Sequence, residues 1–380
     1  MFSFMSGKCL HTVPRHNNIR LSDHTTMSGN KNKAKKKTAS NNTVAPSEKK
    51  SGMVIRNTGS SFMVLAPDGT ETDCRIKGTF RLKGIRTTNP VAVGDKVDIS
   101  VNPDGSAYIT HIQPRANYII RRASNLSKEA SILAANVDQA CLVVTLAHPT
   151  TATTFIDRFL ATAEAYRVPV TIVINKVDLL GEDTAIEPSD ITPSENEEPN
   201  IGSGEELLDA VTYLYSSIGY NVLHVSAKSG CGIEELKSIL QGKISLIAGN
   251  SGVGKSTLIN RIIPGLDLKT ACISDVHDTG MHTTTFSEMF PLPGGDGWII
   301  DTPGVRGFGT IEFDPHEVSH FFPEIFKLSK DCRYGDCTHT HEPQCAVLEA
   351  LRDHRIALSR YNSYLSILAD SEPDKYRKPF

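Results

Sequence analysis

The sequence lacks long apolar runs, and no segment approaches the about 18 consecutive apolar residues that a membrane span requires. A fibrous or wholly disordered chain is also excluded, because hydrophobic residues make up 39% and charged residues 22% of the composition. At roughly 150 residues per domain, the 380 residues predict two or three domains with separate cores. We therefore expect a multidomain globular protein with no membrane partner.

A disulfide framework is missing as well. Five of the eight cysteines stand alone in the sequence, whereas Cys332, Cys337 and Cys345 crowd near the C-terminus beside His339 and His341. This distribution favours one metal site in a reducing compartment over a set of disulfides. It predicts a cytoplasmic protein.

Acidic residues are scarce at the N-terminus. Residues 1–50 carry ten Lys or Arg against only Asp23 and Glu48, a balance of +8 in a chain whose formal net charge is -3. With almost no apolar periodicity, residues 1–51 are predicted to be a disordered basic tail, which either contacts phosphates or is merely solvated. Residues 1–26 have no secretory apolar segment and no clear Arg-rich transit pattern, and Met27 is an alternative start.

Short β-type runs separated by turns fill residues 52–114. Asp68-Gly69, Gly94-Asp95 and Asp104-Gly105 supply the positive φ angles of tight turns. The predicted strands are 53–56, 62–65, 72–76, 96–101 and 108–112. They predict a small closed barrel, with an OB-fold favoured and an SH3-like barrel as the alternative. A basic patch that either faces RNA or is simply solvated comprises Arg75, Lys77, Arg81, Lys83 and Arg86.

Buried strands alternate with amphipathic helices in residues 115–310, which predicts an α/β domain with a mostly parallel sheet covered on both faces. The strands are 139–146, 168–175, 221–226 and 243–248, and the helices are 155–166, 205–218 and 233–240. Residues 181–206 hold nine acidic residues and no Lys or Arg, and are predicted to be a flexible acidic loop. Residues 311–380 are predicted to form a helical zinc-binding domain, ending in one long helix from Pro343 to about residue 368.

A phosphate-binding loop is predicted directly after the strand at 243–248. The GxxxxGK[ST] pattern, in its strand, loop and helix context, is met by Gly249, Asn250, Ser251, Gly252, Val253, Gly254, Lys255, Ser256 and Thr257. Such glycines let backbone N–H groups at a helix N-terminus wrap around phosphate oxygens. Lys255 is predicted to contact the β- and γ-phosphates during catalysis, and Ser256 to ligate Mg²⁺. The alternative is a fortuitous glycine-rich turn.

The choice of GTP over ATP comes from two further segments that follow strands. They are Asn175, Lys176, Val177 and Asp178, and Ser226, Ala227 and Lys228. An Asp carboxylate accepts from both the N1–H and the exocyclic amine of guanine, whereas adenine has no such pair of donors. The two segments match the NKxD and SAK patterns and predict a guanine pocket.

Two more segments match the switches of a GTPase. Asp301 and Gly304, in a DxxG pattern, are predicted to hold a Mg²⁺-bound water and to approach the γ-phosphate. In residues 280–285, both Thr283 and Thr284 are candidates for a magnesium ligand, and the role is assigned to Thr284. Val305 follows Gly304 and cannot orient a water by hydrogen bonding, so His282 is the candidate catalytic residue; the alternative is a histidine that only packs or contacts RNA.

The order of these segments is unusual. NKVD at 175 and SAK at 226 precede the phosphate loop at 249 and DTPG at 301, whereas an ordinary GTPase begins with the phosphate loop. The prediction is a circularly permuted P-loop GTPase domain, whose second switch leads straight into the Cys/His domain. Nucleotide state is then expected to reach that domain through residues 305–314.

The Cys/His cluster has the spacing of a structural zinc site. Cys332-x4-Cys337-x-His339-x5-Cys345 offers three thiolates and one imidazole for tetrahedral Zn²⁺. His341 is the competing imidazole, and a reduced cluster without metal is the alternative. Four protein ligands leave no position for a reactive water, so the expected role is support of the fold.

Taken together, the parts closely resemble the ribosome small-subunit-dependent GTPase A family of bacterial circularly permuted GTPases. The resemblance spans about residues 52–365 and includes the barrel, the segment AANVDQ at 134–139, the permuted motifs, residues 280–285 and the metal cluster. It implies a GTPase that binds the immature small ribosomal subunit and its rRNA late in assembly, is stimulated there, and leaves after hydrolysis.

Two other functions remain open: an RNA-binding scaffold with a mainly regulatory GTP/GDP pocket, and a translation regulator of mature ribosomes. Other late assembly factors are candidate partners, and a monomer is expected.

Overall fold

A computed structural model describes residues 48–76, 90–122, 130–181, 203–268, 287–301 and 313–371. Its first domain is a five-stranded barrel made of β1 (Glu48–Asn57), β2 (Phe62–Leu65), β3 (Glu71–Ile76), β4 (Lys96–Val101) and β5 (Ala107–Ile112). The strand order is β1-β2-β3-β5-β4, and pairing of β4 with β1 closes the barrel, as in an OB-fold. The barrel predicted from the turn pattern is confirmed, and Gly69, Gly94 and Gly105 all have positive φ.

The N-terminal boundary of the barrel differs from the prediction. Strand β1 begins at Glu48, and residues 48–53 pair with β4, so residues 48–51 belong to the barrel and not to the tail. Pairing with β4 orders Lys49 and Lys50 although neither is apolar, which is why composition alone placed them in the tail. The rest of the predicted tail lies outside the described residues.

The second domain is a parallel sheet with one antiparallel edge. Strands β8 (Gln139–Val144), β9 (Val170–Ile174), β10 (Asn221–His224), β11 (Ile244–Ala248) and β13 (Trp298–Asp301) are parallel, and β12 (Glu288–Pro291) is antiparallel to β13. Their order is β10-β9-β8-β11-β13-β12. The chain therefore enters the sheet at β8 and reaches the phosphate-loop strand β11 only later, which is the permuted connectivity.

Helices cover both faces of this sheet. They are α1 (Thr153–Tyr166), α2 (Gly204–Ile218), α3 (Ile233–Leu240) and α4 (Lys255–Ile262). Along β8, Ala140, Leu142 and Val144 join the apolar cluster under α1 and α2, whereas Cys141 and Val143 join the cluster under α3 and α4. Burial on both faces explains why this strand is apolar from Ala140 to Val144.

Two features of this domain depart from the sequence prediction. A two-stranded hairpin of β6 (Tyr118–Arg122) and β7 (Ala130–Ala135), not foreseen, links the barrel to β8. The predicted acidic loop ends early, because α2 begins at Gly204 with Ser203 as its N-cap, whose hydroxyl accepts from the Glu206 N–H at 3.2 Å. Residues 182–202 of that loop lie outside the described residues.

The C-terminal domain is helical, but the predicted single final helix is wrong. The helices are α5 (Pro323–Ser329), α6 (Ala346–Arg352) and α7 (Leu358–Ser371), with a short 3₁₀ helix at Val318–Phe321. Cys345 caps α6, so the helix starts three residues after Pro343. Helix α6 ends at Arg352, His354 follows in the left-handed region at φ 55°, and Ile356 is buried in the apolar cluster of the C-terminal domain.

Two junctions attach the outer domains to the GTPase sheet. Strand β1 of the barrel lies next to β12, which joins both sheets into one of eleven strands. On the other side, α7 packs against α1, whose Ala161 belongs to the apolar cluster of the C-terminal domain. No helix in the described ranges has the length and apolar character needed to cross a membrane.

Candidate nucleotide site and metal centre

The predicted nucleotide segments meet at one edge of the sheet. Residues 249–254 follow β11, residues 175–178 follow β9, residues 226–228 follow β10, and Asp301 ends β13. Carboxyl ends of parallel strands form the usual ligand crevice of such folds. The fold therefore brings together the phosphate, base and second-switch segments that the sequence separates.

The phosphate loop requires glycine at two positions. At Gly249, φ is 146° and a Cβ would lie 2.2 Å from the Val143 carbonyl oxygen; at Gly254, φ is 92° and a Cβ would lie 2.5 Å from Asn175 Nδ2. Helix α4 starts at the next residue, Lys255, so its N-terminal N–H groups point into the loop. The loop thus has the form of an anion site.

Lys255 lies folded over this loop. Its ammonium donates to the carbonyl oxygens of Gly249 at 2.8 Å and Asn250 at 2.6 Å. Burial lowers the pKa of Lys255, and the Asp301 carboxylate partly opposes that shift. Asp301 is opposite Ile247 in the sheet, so its carboxylate and the lysine ammonium face the same end of β11.

Asn175 joins the loops of the site. It is 2% exposed; its Nδ2 donates to the Val253 carbonyl at 2.8 Å, and its Oδ1 accepts from the Ala227 N–H at 3.3 Å. Asp178 Oδ1 accepts from the Ser226 hydroxyl at 2.5 Å, which orients an exposed carboxylate at this edge of the sheet. These contacts fix the NKVD and SAK segments relative to each other.

A loop that the sequence analysis missed completes the wall of the site. Lys176 Nζ donates to the His148 carbonyl at 2.6 Å, and burial lowers the pKa of that lysine while Asp178 opposes the shift. A Cβ on Gly252 would lie 3.5 Å from the Pro149 ring. Residues 146–151 carry no nucleotide-binding pattern, so only their position after the central strand β8 could have indicated this role.

The four predicted metal ligands lie together in the C-terminal domain. The ligand atoms of Cys332, Cys337, His339 and Cys345 are all within 4.8 Å of one another. Cys332 Sγ is 3.9 Å from Cys345 Sγ, and His339 Nδ1 is 3.6 and 3.5 Å from those two sulfurs. His341 is outside this group, and its Nδ1 contacts the Thr340 hydroxyl.

These separations fit a tetrahedral zinc ion. Bonds of about 2.3 Å to sulfur and about 2.0–2.1 Å to nitrogen place sulfurs about 3.8 Å apart and sulfur and nitrogen about 3.6 Å apart. Burial and the neighbouring Cys345 raise the pKa of Cys337 to about 12, so three adjacent thiolates need a bound cation. Burial lowers the pKa of His339 and favours the neutral imidazole that ligates metals.

Residues 332–345, which carry the four candidate ligands and are called the metal loop, are held by hydrogen bonds within the loop and from α7. Glu342 accepts from the N–H groups of Thr338 at 2.6 Å, Thr340 at 2.9 Å and His341 at 3.1 Å. Although burial opposes it, hydrogen bonds from the Thr338 hydroxyl and from the Thr338 and His341 N–H groups hold the pKa of Glu342 well below its usual range. The hydroxyl of Tyr361 donates to the His339 carbonyl at 2.7 Å. The loop therefore keeps its ligand geometry through protein contacts as well.

Comparison with known proteins identifies two matched regions. The family model described as RsgA GTPase matches residues 112–311, and that described as RsgA N-terminal domain matches residues 51–109. The chain belongs to the RsgA GTPase family. As a member of this family it is a GTP hydrolase with a GTP/GDP pocket.

RsgA relatives match most of the chain. The "Small ribosomal subunit biogenesis GTPase RsgA 2" of Bacteroides thetaiotaomicron is 56% identical over 329 residues, covering 87% of this chain and 99% of that protein. A relative from Porphyromonas gingivalis, named without the numeral, is 56% identical over 333 residues with the same two coverages.

Two solved structures share the fold. YjeQ from Thermotoga maritima has a TM-score of 0.65 and 33% identity, covering 85% of this chain and 99% of its own. YloQ, described as a circularly permuted GTPase, has a TM-score of 0.61 and 26% identity, covering 90% and 100%.

Some predicted RsgA site residues lie outside the described part of the chain: His282, Thr283, Thr284 and Gly304. Of the predicted basic patch only Arg75, exposed on β3, is described. The roles assigned to these residues therefore remain predictions from the sequence.

A buried ionic cluster between the GTPase and C-terminal domains was not foreseen. Arg360 of α7 is 1% exposed and donates to Asp157 of α1 at 2.8 Å and to Glu324 of α5 at 2.7 Å. Tyr215 of α2 also donates to Asp157, at 2.9 Å. Burial alone lowers the pKa of Arg360, but Asp157 and Glu324 outweigh burial and raise it, so the guanidinium stays charged.

Proposed function

We propose that this chain is a Mg²⁺-dependent GTPase that binds the small ribosomal subunit and assists its late maturation. Hydrolysis is stimulated by the subunit and is coupled to release of the protein. Support comes from relatives named for small ribosomal subunit biogenesis, at 56% identity over most of the chain. The observation that carries the nucleotide choice is the Asp178 carboxylate, held by Ser226 beside the Asn175 amide.

In the proposed pocket the base and the phosphates are held by different groups. Asp178 accepts from the two guanine donors, and Asn175 and Lys176 shape the walls beside it. The N–H groups of residues 249–257 surround the phosphates, and Lys255 leaves the two carbonyls that now hold it to contact the β- and γ-phosphates. Lys228 and Thr257 complete the SAK segment and the first turn of α4.

A magnesium site fits beside Lys255. Ser256, the second residue of α4, offers a hydroxyl, and Asp301, at the end of β13, offers a carboxylate; oxygen donors suit Mg²⁺. Thr284 would supply the remaining protein oxygen ligand to Mg²⁺, and Asp301 would hold the ion through a bound water. When bound, Mg²⁺ neutralises part of the charge on the phosphate oxygens. His282 would orient the attacking water.

The metal cluster is proposed to bind one structural Zn²⁺ through Cys332, Cys337, His339 and Cys345. With four protein ligands the ion has no position for a reacting water, so it supports the fold. Metal analysis of gently purified protein is expected to find one zinc per chain; protein that is folded and zinc-free would contradict this assignment.

The partner and location follow from the ribosomal role. We infer contacts to rRNA through the basic tail at 1–47, the barrel at 48–114 and the C-terminal domain at 311–380, with the GTPase domain at 115–310 between them. A monomer acting in the cytoplasm fits this role, and other late assembly factors are further candidate partners.

One comparison tests the proposal. GTP turnover is measured for the protein alone, with purified small subunits and with whole ribosomes. Strong stimulation by small subunits is expected. Stimulation only by whole ribosomes would favour a translation regulator, and tight subunit binding without stimulation would favour an RNA-binding scaffold.

A further inference from the structure

Strand β1 turns away from the barrel at a β-bulge. Its register against β2 shifts between Val54 and Arg56, so Ile55 is an extra residue. Val54 faces the barrel core, whereas Ile55 is 8% exposed and belongs to the apolar cluster of the GTPase domain. Bulges redirect side chains and bend the strand. This bulge directs the end of β1 towards the GTPase sheet.

The outer face of β1 and β2 continues this contact. Met53, Met63 and Leu65 pack against the same cluster, which includes Met289 of β12 and Ile300 of β13. These two strands border the predicted switches in sequence, since β12 begins three residues after Thr285 and β13 ends at Asp301. Apolar packing therefore fixes the barrel against β12 and β13.

Beyond the bulge, β1 pairs directly with β12. Arg56 Nε donates to Glu288 Oε1 at 2.6 Å, and a second guanidinium nitrogen contacts the same oxygen. The Asn57 N–H donates to the Ser287 carbonyl at 3.3 Å. The Arg56 side chain is 50% exposed and that of Glu288 is 29% exposed, so this pair can be altered without opening a core.

One row of cross-strand neighbours connects this pair with the phosphate site. Arg56 is opposite Glu288, Glu288 is opposite Asp301, and Asp301 is opposite Ile247, two residues before Gly249. Directly opposed residues have their side chains on the same face of a sheet. At about 4.8 Å per strand, the row crosses roughly 14 Å.

We propose that the Arg56–Glu288 pair couples the barrel to the phosphate end of the nucleotide site, so that RNA bound by the barrel changes the rate of GTP hydrolysis through β12 and β13. Arg56 is then a positioning residue that acts through Glu288. The inference rests on the proposed function, because it takes rRNA as the ligand of the barrel. The base-binding strands β9 and β10 lie at the opposite edge of the sheet, so hydrolysis is affected more than guanine binding.

The test compares Arg56→Glu, Glu288→Arg and the double variant in the full chain. Each single change places like charges on opposed positions of β1 and β12, and the double variant restores an opposite pair. Lys96→Glu makes the same charge change at an exposed position on β4, away from β12, and serves as the matched control.

At saturating small ribosomal subunits, Arg56→Glu is expected to lower the ratio of stimulated to basal turnover by about fivefold or more. The double variant is expected to return it to within about twofold of the wild-type ratio. Recovery excludes direct binding of RNA phosphate by Arg56, since that variant carries Glu there. A normal ratio in Arg56→Glu, in contrast, or a double variant as impaired as the single one, overturns the proposal.

Amide hydrogen exchange separates this inference from the proposed function. In the free protein, Arg56→Glu is expected to speed exchange in residues 288–291 and 298–301, and the double variant to restore protection. If small subunits do not stimulate the wild type, the proposed function fails, yet faster exchange in both strands still supports the coupling. Unchanged exchange in residues 298–301 overturns the coupling alone.

Discussion

Asn175 shows how much of the nucleotide site depends on one buried amide. Its two ends differ chemically: the NH₂ group donates to the phosphate loop and the oxygen accepts from the SAK segment. An Asp at this position would lose the donor and leave the Val253 carbonyl without it, at a cost typical of a buried unpaired group, about 1–3 kcal/mol. The preference of the NKxD pattern for Asn follows from this geometry.

The neighbouring carboxylate predicts a change of base specificity. In Asp178→Asn, an amide replaces the acceptor for the two guanine donors, so GTP affinity is expected to fall about 100-fold. Xanthine, which has a carbonyl where guanine has its amine, is expected to bind better than guanine. Competition with a fluorescent guanine nucleotide measures both effects.

Asp209→Asn, at an exposed position on α2, is the matched control and is expected to bind GTP normally. An Asp178→Asn variant that keeps its preference for GTP would show that the base lies elsewhere.

His282→Ala tests the catalytic assignment in the first switch. If His282 orients the attacking water, subunit-stimulated turnover falls by about 100-fold or more, while GTP affinity is kept. Single-turnover hydrolysis with bound small subunits measures the first quantity and equilibrium titration the second. Full turnover in this variant removes His282 from the mechanism, and His316→Ala, an exposed histidine of the C-terminal domain, controls for loss of a histidine elsewhere.

At the scale of elements, α7 connects the metal loop with the GTPase domain. Tyr361 and Tyr364 donate to carbonyls of the metal loop, whereas Arg360 and Asp370 contact α1. Residues of this one helix thus contact both the metal loop and the GTPase domain.

Arg360→Met is expected to destabilise this junction strongly. It leaves Asp157 buried without its counter-charge, and breaking one side of such a pair costs about 3–5 kcal/mol. Urea unfolding of the full chain measures the loss. Asp157→Asn combined with Arg360→Met removes the orphaned charge and is expected to recover part of the stability.

Arg355→Met, which removes an exposed ion pair with Asp353, is the control and is expected to cost no more than about 1 kcal/mol. Equal losses for the two methionine variants would mean that the buried pair contributes no more than a surface one.

Much of the element order followed from local patterns. The barrel strands were indicated by short β-type runs and by turn glycines such as Gly69 and Gly105, whose positive φ angles the structure confirms. The parallel strands were indicated by apolar runs such as residues 139–144, and the site segments by patterns that depend on spacing. Each of these signals is local, so the sequence alone carries it.

Long-range features escaped prediction for physical reasons. In the sequence, Arg360 has the character of an ordinary surface residue of a helix. Its partner Asp157 is 203 positions away, so only the folded chain shows the buried ion pair. Ile55 and Met63 are apolar residues on the outer face of the barrel strands. Their apolar character is explained only by the packing of the barrel against the GTPase domain. The break at His354 depends on burying Ile356 in a tertiary core, which helical periodicity does not encode.

At the scale of the molecule, the chain separates a basic arm from an acidic body. A tail that meets rRNA phosphates releases counterions. For each phosphate contact, the logarithm of the binding constant then falls by about 0.7–0.9 for every tenfold rise in salt concentration. Removing residues 1–47 is expected to flatten the salt dependence of small-subunit binding while leaving basal GTP turnover unchanged. Filter binding at several salt concentrations measures the slope, and an unchanged slope would mark the tail as merely solvated.

The position of β1 beside β12 has a consequence for how this chain can be divided. An uncovered strand edge offers unpaired backbone groups to other chains and promotes aggregation. The barrel covers the end of that edge with Arg56 and Asn57 and fills the adjoining apolar surface with Ile55. We therefore expect a GTPase domain cut free at residue 115 to expose this edge and the apolar surface beside it, and to aggregate more readily than the full chain.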